Sequence, residues 1–409
     1  MSSITATAPV PFKQDAGVIG LVGIAHLISH FSQLLLAPLF PWLKEAFQAS
    51  YTELGFLMTV FFVVSCAVQA TSGFLVDRHG PRPILLGGLA LLGTAAFGFS
   101  ASTSYGMLAF FAVIAGIGNG VFHPVDYTLI NRKVSPPRLG HAYSVHGITG
   151  NLGWALAPAM LVPLAVAFSW RVALMAAGTL AFCVLALLWV HRDHLALAGT
   201  SGRSPAPPAG SANAPQGGFD FLRIPAVWMC FAFFFLFAMI LSTVQTFAPE
   251  AARQLHGVPV GLLAVCLTAY MVCSAAGMAV GGFLAAQPER CERIIAAGVG
   301  MAALVALTIG FTPVPALAVP FLFGAIGLST GVAGPSRDLI VKRSTPEGST
   351  GRVYGIVYSG LDTGQAIAPV LFGVLMDQHR YQAVWAGIAV LQTVLIFSAF
   401  NVRRARRTA

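Results

Sequence analysis

The chain has 409 residues, of which 56% are hydrophobic and only 9% charged, with a formal net charge of +9. Soluble domains carry about 25% charged residues, so 23 Lys and Arg with 14 Asp and Glu are too few to cover a surface of this size in water. A cytosolic enzyme, a nucleic-acid binder and a disulfide-held secreted scaffold are thereby excluded, and an integral membrane protein is left. A helix crosses a bilayer with about 20 apolar residues. In chain order the sequence predicts twelve such spans, near 17–43, 52–76, 84–103, 105–130, 141–166, 171–191, 224–250, 259–286, 294–312, 315–341, 353–377 and 381–402. Residues 1–16 lack the basic-then-apolar layout of a cleavable signal, so the first span is expected to direct insertion.

Assigning the loops alternately, with the N-terminus inside, puts 18 of the 23 Lys and Arg on one side, including Arg78, Arg82, Arg132, Lys133, Arg138 and the tail Arg403 to Arg407. The other side keeps Lys44, Arg171, Arg253 and Arg380, and Arg337 falls within a span. The positive-inside rule then makes both termini cytoplasmic. Between the sixth and seventh spans, residues 192–222 are dominated by Ala, Gly, Ser and Pro, a composition that cannot bury enough apolar surface to order itself. The expected organisation is a six-helix bundle over 1–191, a flexible cytoplasmic linker over 192–222, and a second bundle with a basic tail over 223–409. The six cysteines show no metal-ligand spacing, five of them lie in apolar runs, and they read as buried free thiols.

The two bundles are copies of each other. Displacing the chain by 211 residues, so that Gly140 falls on Gly351, matches Tyr143, Gly153, Ala155, Ala157 and Pro158 to Tyr354, Gly364, Ala366, Ala368 and Pro369. The same displacement brings Gly120, Val121 and Pro124 onto Gly331, Val332 and Pro335, and Ala37 and Pro38 onto Ala248 and Pro249. Duplicated halves related by an axis along the membrane normal suit alternating access, in which the halves rock about a site at their interface. After the second span the chain reads GFLVDRHGPRP (73–83), where Gly73, Leu75, Asp77, Arg78, Gly80 and Arg82 match the loop motif G-x-L-x-D-R-x-G-R-[KR], with Pro81 in place of a basic residue. The chain in this respect resembles the major facilitator superfamily of secondary transporters. The resemblance implies an all-α membrane fold of twelve transmembrane helices in two pseudo-symmetric six-helix bundles, a small-molecule substrate, no enzymatic activity and no nucleic-acid partner. The strings GIAHLISHFSQLLLAPLFPWLKEAF, GIGNGVFHPVDY and ITGNLGWALAP further resemble the fosmidomycin-resistance group of bacterial proton-coupled exporters.

Ionisable groups inside a membrane are costly and mark candidate functional positions. On the first span His26, Ser29, His30 and Gln33 recur at i, i+3, i+4 and i+7 and share one helical face. The fourth span carries Asn119, His123, Asp126 and Tyr127, with Pro124 placed to kink it. His26, His30 and His123 are proton-coupling candidates because imidazole titrates near pH 6.5; each has the alternative of bonding a neighbouring helix. Asp362 in the eleventh span, with Ser359 one turn away, is their rival. Ser29, Gln33, Asn119, Tyr127, Gln245 and Arg337 are candidate substrate contacts, and His146 is a weaker candidate of either kind. Gly73, Asp77, Arg78, Gly80 and Arg82 of the loop motif form a candidate gating latch. Asp126 and Asp338 are its candidate acids, though Asp126 has an equal claim to a transport role and Arg337 with Asp338 can neutralise each other. Gly73 is expected to permit close helix packing, and Asp77 to cap the next helix.

The expected function is a proton-coupled antiporter, an efflux carrier of the bacterial inner membrane working as a monomer among lipid. It would move a small amphiphilic or anionic solute, with protons as coupling ion and no other cofactor or resident metal. Uptake of an organic acid by proton symport is the alternative. Transport of a transition metal by His26, His30 and His123 is a third reading, since His at i, i+4 is a ligand spacing.

Overall fold

The computed structural model describes residues 12–197, 225–284, 290–344 and 350–407, excepting the side chains of 225–226, 337–344, 350–358 and 401–407. The first predicted span is two helices, α1 (Phe12–Gln33) and α2 (Phe40–Phe47), joined through a 3-10 turn at Ala37–Leu39. Then come α3 (Tyr51–His79), α4 (Pro81–Ala101), α5 (Tyr105–Asn119), α6 (Phe122–Lys133), α7 (Leu139–Ala167) and α8 (Trp170–Val190). The second half comprises α9 (Pro225–Thr246), α10 (Ala248–His256), α11 (Val260–Leu284), α12 (Cys291–Phe311), α13 (Val319–Ser344), α14 (Thr350–Asp377) and α15 (Tyr381–Arg407). Among the described residues, eleven predicted spans have the length and hydropathy of a membrane crossing, and the twelfth, 353–377, falls on α14. The fold is an all-α membrane protein of two pseudo-symmetric six-helix bundles. Phe283, 85% exposed, and Phe321, 80% exposed, show the outward apolar face that lipid contact requires.

Proline sets the breaks. Pro38 and Pro249 lack the amide that would bond the carbonyl four residues back, and the helices part at Leu34–Leu36 and Phe247. The Ala-Pro pair shared by the two halves is therefore a repeated structural break. Pro124 acts in the same way on Gly120, where α5 ends, and Ser72 Oγ of α3 donates to the freed Gly120 carbonyl at 3.4 Å. The expected kink is thus a break placed one turn before the proline.

The first residues of the segment expected to be a linker pack on the first half. Residues Arg192–Leu195 form a 3-10 turn, Leu195 is fully buried, and Lys133 Nζ donates to the carbonyls of His194 and Ala196, each at 2.7 Å. Residues 198–222 lie outside the described residues.

The halves meet along α3 with α14 and α7 with α11. Gly55 lies against Pro369, where a Cβ would stand 2.4 Å from the proline carbonyl oxygen, so only glycine allows this approach. At the end of the bundle remote from the termini, Asp377 of α14 sits on the N-terminus of α3. It accepts from the Tyr51 amide at 2.6 Å, the Thr52 amide at 2.9 Å and the Thr52 hydroxyl at 2.5 Å. A carboxylate there meets two orphan amides and the positive end of the helix dipole. Beside it Tyr51 Oη donates to Glu250 at 3.1 Å, and Arg253 holds Glu250 by two bonds of 2.8 Å.

Candidate functional site

The polar stripe of α1 packs on spans of its own half. Its approach to α7 depends on two missing side chains: a Cβ on Gly153 would lie 2.3 Å from the Leu27 carbonyl, and one on Gly150 would meet the His30 ring at 2.8 Å. Into this seam α6 brings His123 and Asp126, and α7 brings His146. Four imidazoles therefore gather. The His26 ring centroid lies 3.6 Å from that of His146 in a stacked arrangement, 4.3 Å from that of His30 and 5.4 Å from that of His123. Trp154 of α7 covers His30 with its ring centroid 4.3 Å away.

Asp126 is fully buried at the centre of this group. Its Oδ2 accepts from His26 Nδ1 at 3.0 Å and from His146 Nε2 at 3.2 Å, while Oδ1 is buried with no hydrogen-bond partner. Those bonds assign the protons of both rings and leave His26 Nε2 and His146 Nδ1 with lone pairs in the neutral forms. His123 Nδ1 donates to Gln69 Oε1 of α3 at 2.9 Å, so its Nε2 carries the lone pair. His30 Nδ1 is buried and has no hydrogen-bond partner.

Two networks extend from the cluster. Within the first half, Ser29 Oγ donates to Asn119 Oδ1 at 2.7 Å, Asn119 Nδ2 donates to Ser65 Oγ at 2.8 Å, and Trp154 Nε1 donates to Gln33 Oε1 at 3.0 Å. Across the halves, Gln69 Nε2 donates to Asp362 Oδ2 of α14 at 3.2 Å. The Gln69 amide is oriented by its neighbours, because a carboxylate oxygen only accepts and its own carbonyl must face the imidazole N–H. Cys66 of α3 stands beside Asp362. Donor atoms of His26, His30 and His123 lie within 4.8 Å of one another, as do those of His26, Asp126 and His146, so either trio has the makings of a metal-ligand set.

The latch expected of Asp126 is not made. Burial among histidines has taken this carboxylate away from the motif loop, where Arg82 instead approaches Asp193 at 4.0 Å. Among the described residues nothing lies within 4 Å of a Cβ on Gly73, where close packing was expected, and Asp77 caps no helix: α4 starts from Gly80 without a side-chain cap. Gly80 has a φ of 81°, a conformation that glycine adopts without steric cost, which accounts for its place in the motif. Arg78 is exposed, and the side chains of Arg337 and Asp338 lie outside the described residues. Tyr127, 40% exposed, flanks His123 with its ring centroid 6.1 Å away. Gln245 is buried away from the cluster, near Pro38 and Pro249 at the remote end, with Nε2 unpartnered. His146 belongs to the centre of the site, and Gln69 and Asp377 were missed. Gln69 is the one amide in the run TVFFVVSCAVQATSGFL, a cue as strong as those read on the first span.

The sequence profile of the Major Facilitator Superfamily matches residues 22–336 and 267–409. The chain is 26% identical to the fosmidomycin resistance protein of Escherichia coli over a stretch covering 46% of this chain and 47% of that protein. The match therefore spans about half the length of that relative. It is 23% identical to the hexuronate transporter of Bacillus subtilis, with 93% of this chain and 95% of that protein covered. A bacterial homologue of the human lysosomal transporter Spinster, in an inward-facing and unoccupied conformation, superposes with a TM-score of 0.75 at 15% identity, covering 97% of this chain and 98% of that one, and so shares the fold.

Proposed function

The chain belongs to the Major Facilitator Superfamily, and from that membership we propose that it is a proton-coupled secondary transporter exporting a small amphiphilic or anionic solute across the bacterial inner membrane by alternating access. The observation that carries the reading is the position of Asp362. It lies on the seam where α14 meets α3, bonded to a neutral amide, and that seam must part when the halves rock. Ionised, the carboxylate favours the state in which water reaches it; protonated, it lets the seam close. A group whose charge weights the two states differently is what coupling requires. The polar stripe of α1, with Asn119 and Trp154, is closed by its own hydrogen bonds in this conformation, and those groups become the substrate's polar contacts when the halves rock apart. The positions of α9 that the repeat aligns with His26 and His30 hold Phe237 and Leu241, which suits an amphiphile bound between unlike halves. The excess of Lys and Arg on the side of the termini makes that side cytoplasmic, and one chain supplies both halves of the carrier.

The test uses purified full chain in liposomes, with a hexuronate and fosmidomycin as probes because two relatives bear those names. Wild-type protein accumulates a probe under an imposed pH gradient and stops on addition of a protonophore. Asp362→Asn loses accumulation and keeps exchange of probe for probe. Full accumulation by that variant overturns the assignment. The orientation of the gradient that drives accumulation separates antiport from symport.

A further inference from the structure

We propose that His26, His30 and His123 form a binding site for a transition-metal ion of the zinc class, inside the first half and separate from the seam carboxylate. His26 and His30 stand four residues apart on α1, which places both rings on one face, and α6 sets His123 opposite them. Donor atoms of the three residues lie within 4.8 Å of one another. Bonds of about 2.0–2.1 Å to a tetrahedral zinc place two nitrogens ~3.4 Å apart, so small side-chain rotations close the trio on an ion.

Three further observations point to a ligand. His30 Nδ1 is buried and makes no well-formed hydrogen bond, the Gly150 backbone being the polar group beside it, a condition that costs free energy unless something fills it. The other two rings are held from behind in the manner of metal-ligating histidines: Asp126 Oδ2 takes the N–H of His26 at 3.0 Å, and Gln69 Oε1 takes that of His123 at 2.9 Å. Each thus turns a lone pair away from its partner. Finally, α7 presents a bare surface where two of the nitrogens converge. A Cβ on Gly150 would lie 2.8 Å from His30 Nδ1 and 3.1 Å from His26 Nε2, so any larger residue would occupy the space between them.

The donor set defines the class of ion. Three neutral imidazoles without a coordinating carboxylate suit Zn²⁺, Co²⁺, Ni²⁺ or Cu²⁺ and are poor ligands for Mg²⁺ or Ca²⁺. The Asp126 carboxylate behind His26 offsets the ion's charge where both are removed from water. Three ligands leave a fourth position open to water or to an anionic group of a solute. The second trio, His26 with Asp126 and His146, would spend on the metal the carboxylate oxygen that now orients both of its rings.

The test is equilibrium dialysis of untagged, chelator-stripped full chain in detergent against Zn²⁺, with the metal counted by mass spectrometry and Co²⁺ absorption reporting nitrogen ligation. One Zn²⁺ per chain is expected, undisplaced by excess Mg²⁺. His30→Ala and His123→Ala each weaken binding by at least the roughly 10–100-fold that loss of an outer-shell partner costs, and Gln69→Ala by an amount within that range. His79→Ala with His379→Ala, both on exposed positions, leaves binding intact. Binding lost with the exposed pair, or absent from monodisperse wild-type protein, overturns the proposal. Retention by His30→Ala with loss in His146→Ala overturns the choice of trio. Because Co²⁺ spectra are read on wild-type protein, a variant that fails to fold does not shield the claim. Zn²⁺ bound by Asp362→Asn as by wild type keeps this site distinct from the coupling carboxylate.

Discussion

Replacing Asp377 by Ala should unfasten the end of the transporter remote from its termini. The carboxylate bonds two amides and a hydroxyl of α3 from the opposite half, at 2.6, 2.9 and 2.5 Å. Ser50 already caps α3 through its own box with Glu53, so the helix itself persists and the loss falls on the contact between halves. In the separated state water hydrates both partners, so the net effect resembles loss of one helix cap, about 1–2 kcal/mol. That amount raises the population with this end open by about 5- to 30-fold. Spin labels on Glu45 and Gln378, exposed residues of the two halves at this end, report the separation by pulsed dipolar spectroscopy. The expected result is growth of a longer-distance population in Asp377→Ala. An unchanged distance distribution refutes the clamp.

Gly55→Val places a Cβ 2.4 Å from the Pro369 carbonyl across the halves, so the protein should stay heat-stable yet fail to close at the same labelled end. Gly153→Val forces a Cβ to 2.3 Å from the Leu27 carbonyl within one half, and should lower thermal stability, read by intrinsic fluorescence, by about 1–3 kcal/mol or more. The contrast between these two substitutions separates seam from core. Gly80→Ala, at φ 81°, should cost about 1–2 kcal/mol in the same melt, while Gly73→Ala, with no described atom within 4 Å of the new Cβ, should be nearly silent.

The fold was legible because its determinants are local or periodic. Apolar run length and the repeat joining Gly140 to Gly351 lie along the chain and need no contact information. The stripe His26, Ser29, His30 and Gln33 could be read from helical spacing alone. What faced that stripe could not, since a helix period names a face and leaves its neighbour unspecified. The position of Asp126 near the end of a span left the motif-loop latch and a transport role equally open, because the choice among partners is made by packing. The bare surfaces of Gly150 and Gly153 let α1 approach α7 closely enough to bring His146 beside Asp126. Asp77 illustrates the same limit: a residue type suited to capping caps only if the backbone turns toward it, and α4 starts from Gly80 with no side-chain cap. Pro124 was correctly read as a disturbance, and its carbonyl partner at Gly120 located the break.

The central claim is that solute movement is tied to proton movement through Asp362 on the seam. Liposomes containing a pH-sensitive dye, loaded with purified protein and challenged with a transported solute, measure that link directly. The expected result is solute-driven proton flux with wild-type protein and none with Asp362→Asn, although the variant still exchanges solute. Solute movement by wild type with no accompanying proton flux would contradict the account.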